Sequence, residues 1–256
     1  MHRFAVAAVL LAPLAAIASP CRFTAPRHLQ LDLTGVRAVQ IEVHGHDLHL
    51  LGRGDSKGLT LAGKACASDQ AALDRLQVTQ RREGDQLLLD IGGGNPVSFN
   101  LFGSAYARLE VSVQLPAELP VHLGVGSGDA DVRGVRELQG QVGSGDLHVR
   151  DIAGRFAVSV GSGDVDATDV GSLDLGAVGS GDVKAAGIKG DARVGSIGSG
   201  DVVLRQVGGN VHADTLGSGD FTVSGVAGDL SLGAKGSGDV KQSGVKGKVS
   251  LPRDDD

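Results

Sequence analysis

The sequence predicts an all-β protein: a parallel β-solenoid, or β-helix, with 18–19-residue rungs and an irregular N-terminal strand-rich cap. Three observations predict it. Gly-Ser-Gly-Asp begins at Gly126, Gly143, Gly161, Gly179, Gly198, Gly217 and Gly236, a nearly even spacing that lengthens slightly along the chain and marks a repeat architecture. Each copy lies between short, alternating, largely β-branched segments such as Phe156-Ala157-Val158-Ser159-Val160, which read as half-buried strands. The 256 residues include 41 Gly, one Tyr, one Met and no Trp, a composition for short strands and tight turns with a core of Val, Leu, Ala and Ile.

From the start of the chain, residues 1–18 read as a signal peptide: His2 and Arg3, an apolar stretch from Phe4 to Ile17, and Ala16-Ile17-Ala18 as a cleavage site. That stretch contains Pro13 and is short for a bilayer span, and no later segment reaches the ~20 apolar residues a membrane helix needs. The expected product is exported, periplasmic or extracellular, beginning Ser19-Pro20-Cys21. Pro20 before Cys21 disfavours lipidation, and an even cysteine count in an oxidising compartment predicts a Cys21–Cys66 disulfide. A net charge of −6 supplies no basic face for nucleic acid.

Residues 19–115 read as a strand-rich region of irregular first rungs. Val43-His44-Gly45-His46-Asp47-Leu48-His49-Leu50 lines up with Val142-Gly143-Ser144-Gly145-Asp146-Leu147-His148-Val149, and Asp85 follows Asp47 by the length of two such rungs. A short helix fits Asp69 to Leu76, capped by Ser68 or Asp69. Residues 116–251 form the array. Its last four rungs place Leu173/Leu175/Ala177, Ala192/Val194/Ser196, Val211/Ala213/Thr215 and Leu230/Leu232/Ala234 in inward columns, and the shorter rung of Phe156 moves its apolar set by one place, which reads as a slip of strand face. Rungs stack at ~4.8 Å, so seven span roughly 34 Å, and parallel crossovers favour a right-handed coil. Lys235, Gln242, Lys246, Lys248 and Pro252 blunt the last rung before the acidic tail 252–256.

With its signal segment, opening strand region, Leu115-Pro116 step and Gly-Ser-Gly-Asp-apolar units through Lys248, the chain resembles the bacterial adhesin-like β-strand-repeat family of exported domains, the head GIN type. The resemblance covers about the whole mature chain. It implies a β-helical form and an adhesin-like role, and it carries over no catalytic or binding residue.

The sharpest candidate site is the ladder Asp129, Asp146, Asp164, Asp182, Asp201, Asp220 and Asp239. Neighbouring carboxylates at ~4.8 Å repel by roughly 1 kcal/mol even in water-like dielectric. Either backbone N–H groups at the corners compensate or calcium lies between rungs, and a single Asp per rung favours the backbone. His44, His46 and His49 are metal-ligand types, though their alignment with a repeat turn reads as a plain exposed corner. Arg53-Gly54-Asp55-Ser56 contains the string animal integrins recognise, which a surface turn in a Gly- and Asp-rich chain also explains. The outward row Asp131, His148, Asp166, Lys184, Val203, Thr222 and Lys241 varies, so no uniform ligand stripe is expected there. No nucleophile elbow, zincin helix or phosphate loop appears. The expected function is a monomeric, non-enzymatic cell-envelope binding or scaffold protein without a cofactor, whose partner is a glycan or protein. The alternatives are a carbohydrate-active β-helix enzyme and a calcium-stabilised surface-binding module.

Overall fold

A computed structural model describes residues 21–93 and 106–252. The proposed signal peptide 1–18 and residues 253–256 of the tail lie outside the described residues.

The N-terminal region forms β1 (Phe23–Asp32), β2 (Ala38–Val43), β3 (Asp47–Arg53), β4 (Gly58–Ala67), α1 (Gln70–Arg75), β5 (Val78–Glu83), β6 (Gln86–Ile91) and β7 (Ala107–Pro116). The array follows as β8 (Val121–Val125), β9 (Ala130–Arg133), β10 (Leu138–Val142), β11 (Leu147–Val160), β12 (Val165–Val178), β13 (Val183–Ile188), β14 (Ala192–Ile197), β15 (Val202–Val207), β16 (Val211–Leu216), β17 (Phe221–Val226), β18 (Leu230–Lys235), β19 (Val240–Ser243) and β20 (Val249–Ser250).

Each rung contributes one strand to each of two facing sheets, and Gly-Ser-Gly-Asp makes the corner from the first sheet to the second. The first sheet runs β5-β6-β2-β8-β10, then the second halves of β11 and β12, then β14-β16-β18-β20. The second runs β1-β4-β7-β3-β9, then the first halves of β11 and β12, then β13-β15-β17-β19. Val, Leu and Ile from both inner faces, with Phe156 and Phe221, fill the space between them. No rung can bury its apolar face alone, so stability accumulates along the stack.

The strands β2 and β3 are a true first rung, with Val43 in register with Val125 and Leu48 with Ala130, as the upstream alignment predicts. Asp85 departs from expectation. It lies in the turn of the β5–β6 hairpin beside Gly84 (φ 62°), and β6 pairs with β2 through Ala38 and Gln86, so Asp85 aligns with Arg37 rather than with Asp47. An Asp in a tight turn looks alike in sequence at either corner.

The chain leaves the stack after β3 to build its own lid. Antiparallel β4 and β1 extend the second sheet beyond β7, and the β5–β6 hairpin extends the first. The helix α1 joins the two, with Asp69 as N-cap accepting from the Ala72 N–H and with Ala72, Leu73 and Leu76 buried. Arg27 of β1 donates to the carbonyls of Leu76 (2.7 Å) and Leu73 (3.1 Å), satisfying the helix C-terminus. Cys21 and Cys66 form a disulfide that ties the start of β1 to β4. Pro26 on β1 and Arg81, Arg82 and Glu83 on β5 discourage further pairing at the two open edges.

The unequal rung lengths have a local cause. From the last inward residue of the second sheet to the first of the next strand is a step of three in the shortest rung (Val135 to Leu138) and of four where the corner is longer (Ile152 to Phe156). From the rung of Leu173 onward, the first-sheet strand also carries a β-bulge, seen as a register shift between Val158–Leu175 and Val160–Val178. Rungs with neither feature are the shortest, those with one are intermediate, and those with both are the longest. The bulge corrects the expected third column: Ala177, Ser196, Thr215 and Ala234 are exposed, and Val178, Ile197 and Leu216 point inward in their place, with Lys235 half-buried at the last rung. It also removes the supposed slip, because Phe156 and Val158 pair with Leu173 and Leu175 and face the same interior.

The second sheet has its own irregularity, at a fixed offset beyond the tetrapeptide. Gly134, Asp151, Asp169, Gly187, Gln206, Gly225 and Gly244 all adopt φ between 56° and 72°. Each left-handed residue turns the next one inward, burying Val135, Ile152, Val170, Ile188, Val207 and Val226.

Two glycines separate steric from conformational demands. A Cβ on Gly181 would lie 1.8 Å from the Gly163 carbonyl oxygen, whereas one on Gly225 (φ 67°) would meet nothing closer than 3.6 Å. Gly225→Ala is expected to cost about 1 kcal/mol, from the left-handed conformation alone. Gly181→Ala should cost several times more or prevent folding, and urea midpoints that reverse this order would contradict the packing described.

Candidate functional site

The seven corner aspartates precede the second-sheet strands, and four of them, Asp129, Asp164, Asp182 and Asp201, accept a backbone N–H from the following rung. The Asp146 N–H donates to Asp129 Oδ1 (3.3 Å), Asp182 to Asp164 (3.0 Å), Asp201 to Asp182 (3.0 Å) and Asp220 to Asp201 (2.8 Å). Each such carboxylate thus holds the backbone of the following rung. Asp220 also accepts from Lys241 Nζ at 2.8 Å, and this ion pair lowers the Asp220 pKa and raises that of Lys241. The serines of the tetrapeptide are exposed, and its second glycines are buried.

The opposite corner carries a second ladder that sequence reading missed. The Asn210 N–H donates to Asp191 Oδ1 (2.7 Å), Asp229 to Asn210 Oδ1 (2.9 Å) and Lys248 to Asp229 Oδ1 (2.7 Å). These residues precede Ala192, Val211, Leu230 and Val249 as the corner aspartates precede the second-sheet strands. A signal existed in the even spacing of Asp191, Asn210 and Asp229, but it covers only the later rungs and mixes Asp with Asn. Because the neutral Asn210 does the same work, carboxylate charge is not what the position requires.

The three N-terminal histidines do not converge. His44 Nε2 lies 3.3 Å from Asp90 Oδ1, and His49 Nδ1 lies 3.0 Å from Asp131 Oδ2. His46 is no exposed corner residue. It holds the place that glycine takes in the array, is only 9 % exposed, and buries an Nδ1 without a hydrogen-bond partner. It packs over Gly92, where an added Cβ would lie 1.8 Å from its ring. Burial pushes the His46 pKa below its ordinary value; the Asp47 carboxylate opposes this shift and His44 adds to it. Among the described residues, no group of three or more His, Cys, Asp or Glu side chains is arranged to hold a metal ion.

In the Arg53-Gly54-Asp55-Ser56 turn the ends pair with each other: Arg53 Nε and Nη2 donate to Asp55 Oδ1 (3.0 Å) and Oδ2 (3.1 Å). The two charges that the motif would offer outward are engaged within the turn.

Two further groupings arise only from the register. On the first sheet, His212 places Nδ1 2.8 Å from Ser231 Oγ and Nε2 2.9 Å from Asp214 Oδ1, the connectivity of a nucleophile, base and orienting acid. His212 and Asp214 are more than half exposed, and the strands around them commit their backbone N–H groups to the parallel ladders, leaving no pair of donors there for an oxyanion. On the second sheet, a shallow depression of about 550 Å³ is lined by His49, Ser112, Gln114, Asp131, Arg133 and Arg150, among others. Three of its lining residues begin an outward row, His49, Asp131, His148, Asp166 and Lys184, in which acidic side chains alternate with His or Lys from rung to rung. The His49–Asp131 contact and the opposed Asp166 and Lys184 are favourable cross-strand pairs in this row.

A protein-family model described as Toastrack DUF4097 matches residues 37–249. No curated protein matches the chain. Among solved structures, the fold is similar to that of a candidate lipid binding protein from Parabacteroides distasonis ATCC 8503, at 14% identity over 88% of this chain and 96% of that one, with a TM-score of 0.51. A candidate adhesin from Parabacteroides merdae ATCC 43184 is 13% identical over 90% of this chain and 96% of that one, TM-score 0.48. A candidate adhesin from Parabacteroides distasonis ATCC 8503 is 17% identical over 90% and 97%, TM-score 0.44. At these identities the likeness is one of fold.

Two outcomes test the site geometry. If the Asp ladder serves the backbone, Asp182→Asn keeps the melting temperature near that of the native protein, Asp182→Ala lowers it by a few degrees, and a calcium chelator changes neither. A chelator-induced drop of several degrees would place ions between the rungs instead. For His46, the unfolded state binds a proton more readily than the folded one, so its contribution is complete above about pH 6.5 and is lost as the pH falls from there through the lower folded-state pKa. Urea midpoints between about pH 7 and pH 5 should therefore fall less steeply in His46→Leu than in the native chain.

Proposed function

We propose that this chain, which belongs to the Toastrack DUF4097 family, is a non-enzymatic exported envelope protein that presents a rigid solenoid as an adhesin-like binding or scaffold surface. The observation that carries the reading is the division of labour around each rung. The repeated residues stand at corners, where they serve the neighbouring backbone, and the residues that differ from rung to rung face outward on the two sheets. Recognition by such a rod rests on the exposed faces, with the stack holding their spacing at ~4.8 Å.

Export is supported by the Cys21–Cys66 disulfide, which suits an oxidising compartment. No helix among the described residues is long and apolar enough to cross a membrane. Against a carbohydrate-active enzyme stands the character of the ionisable groups. The second-sheet carboxylates face histidines of adjoining rungs on an exposed surface, and the Ser231, His212 and Asp214 grouping sits on a flat sheet face.

The test is affinity capture from envelope fractions with residues 19–256 immobilised. A saturable partner, glycan or protein, without turnover of envelope polysaccharide is the expected result. Cleavage of such a polysaccharide by the purified chain, or no saturable partner, would overturn the reading.

A further inference from the structure

We infer that Arg133 and Arg150 are the anion-holding pair of a binding site for an acidic saccharide on the outer face of the second sheet. The two residues are directly opposed, Arg133 ending β9 and Arg150 in β11, and both are exposed. Like charges opposed on neighbouring strands repel. At other like-charged positions hydrogen bonds or ion pairs engage the charged groups, as Gln40 and the Gly93 N–H do for the opposed Glu42 and Asp90. Carboxylates of the Asp ladder accept backbone N–H groups, and the row that includes Asp131 alternates acidic side chains with His or Lys. Arg155 pairs with Asp174, and Arg136 with Glu118 at 3.2 Å. Among the described residues, neither Arg133 nor Arg150 has an ion-pair or hydrogen-bond partner for its guanidinium.

Both arginines line the 550 Å³ depression. Two guanidinium groups carried on directly opposed strand positions suit the planar, two-oxygen geometry of a carboxylate or the oxygens of a phosphate. The rest of the lining fits a sugar. Leu51, in register with Arg133, offers a half-buried apolar floor for a ring face. Ser112, Gln114 and the Asp131 carboxylate supply donors and acceptors for hydroxyl groups. A lipid would need apolar surface beside the anion, and the exposed large hydrophobic residues Tyr106, Val249 and Leu251 do not line the depression. The shared chemistry is an oxyanion carried on a saccharide, either a uronate carboxylate or a sugar phosphate.

The inference rests on the reading of the rod as a binding module, and the two can fail separately. The probes are trigalacturonate, glucose 6-phosphate and neutral trigalactose, titrated into residues 19–256 by calorimetry and by amide chemical shifts. Binding of at least one acidic probe is expected, with the stronger arm identifying the source of the anion. The double variant Arg133→Gln, Arg150→Gln should bind it roughly tenfold more weakly or worse, as expected for the loss of charge-assisted hydrogen bonds. Arg193→Gln, an exposed arginine on the other sheet, should bind as the native chain does. Without ligand, the double variant should melt no lower than the native protein, because a repulsive pair has been removed; this separates loss of the site from loss of the fold. No binding of either acidic probe at millimolar concentration, equal binding of trigalactose, or unchanged affinity in the double variant would overturn the site. An envelope partner still captured by the double variant would leave the binding-module reading in place and remove this site from it.

Discussion

The close approach of successive backbones at the Gly-Ser-Gly-Asp corner is the constraint on which the rest of the molecule depends. From Gly145 to Gly238, a Cβ on the second glycine would lie 1.8–2.0 Å from the carbonyl oxygen of the same glycine one rung earlier. No side chain fits in that interval, and no flexible neighbour can give way, because the obstacle is backbone. The two sheets can therefore stack in step only if glycine recurs there. Once that spacing is set, the Asp that follows lies within reach of the next rung's N–H, and the strand beyond begins with its first residue facing inward.

Features that rest on residue type at a fixed offset were legible in the sequence. The corner glycines and aspartates, the first rung at β2 and β3, the short helix from Asp69, with its cap narrowed to Ser68 or Asp69, and the Cys21–Cys66 pair all belong to this class. Features that rest on backbone conformation were not. The left-handed column is filled by Gly, Asp and Gln, residues that share a φ value but no side-chain chemistry. The bulges at Gly176-Ala177 and Gly195-Ser196 defeat a period-two reading, since two consecutive residues point outward and Val178 or Ile197 takes the inward place. The pairing of Arg133 with Arg150, and the approach of His212 to Ser231, required the cross-strand register before either could be seen.

The rod is asymmetric, and the asymmetry follows from what each end must cover. At the N-terminal end the chain spends β1, β4, α1 and the β5–β6 hairpin on a lid, and His46 replaces glycine because no preceding rung of the array presses on that corner. The cost is an unsatisfied ring nitrogen beneath Gly92. At the other end the core thins: Val240 is half-buried, β20 is short and exposed, and the corner position of the second ladder passes from Asp229 to Lys248. Among the described residues, burial falls off over the last rung.

A parallel stack in register brings like residues together, so any charged position that repeats becomes a column of repulsion unless something intervenes. This chain uses three remedies. The corner columns use backbone amides, and Asn210 shows that there the amide, more than the charge, is what matters. The outer row of the second sheet alternates acid and base between His49 and Lys184. Further along, neutral residues dilute the row at Val203 and Thr222. Arg133 and Arg150 receive none of these: no backbone group compensates their charge, no acid is opposed to either across the β9–β11 pairing, and the dilution by Thr168 begins one rung later. In a fold where stacking makes uncompensated charge conspicuous, a like-charged pair without hydrogen-bond or ion-pair partners in the lining of a surface depression is evidence about what that surface meets.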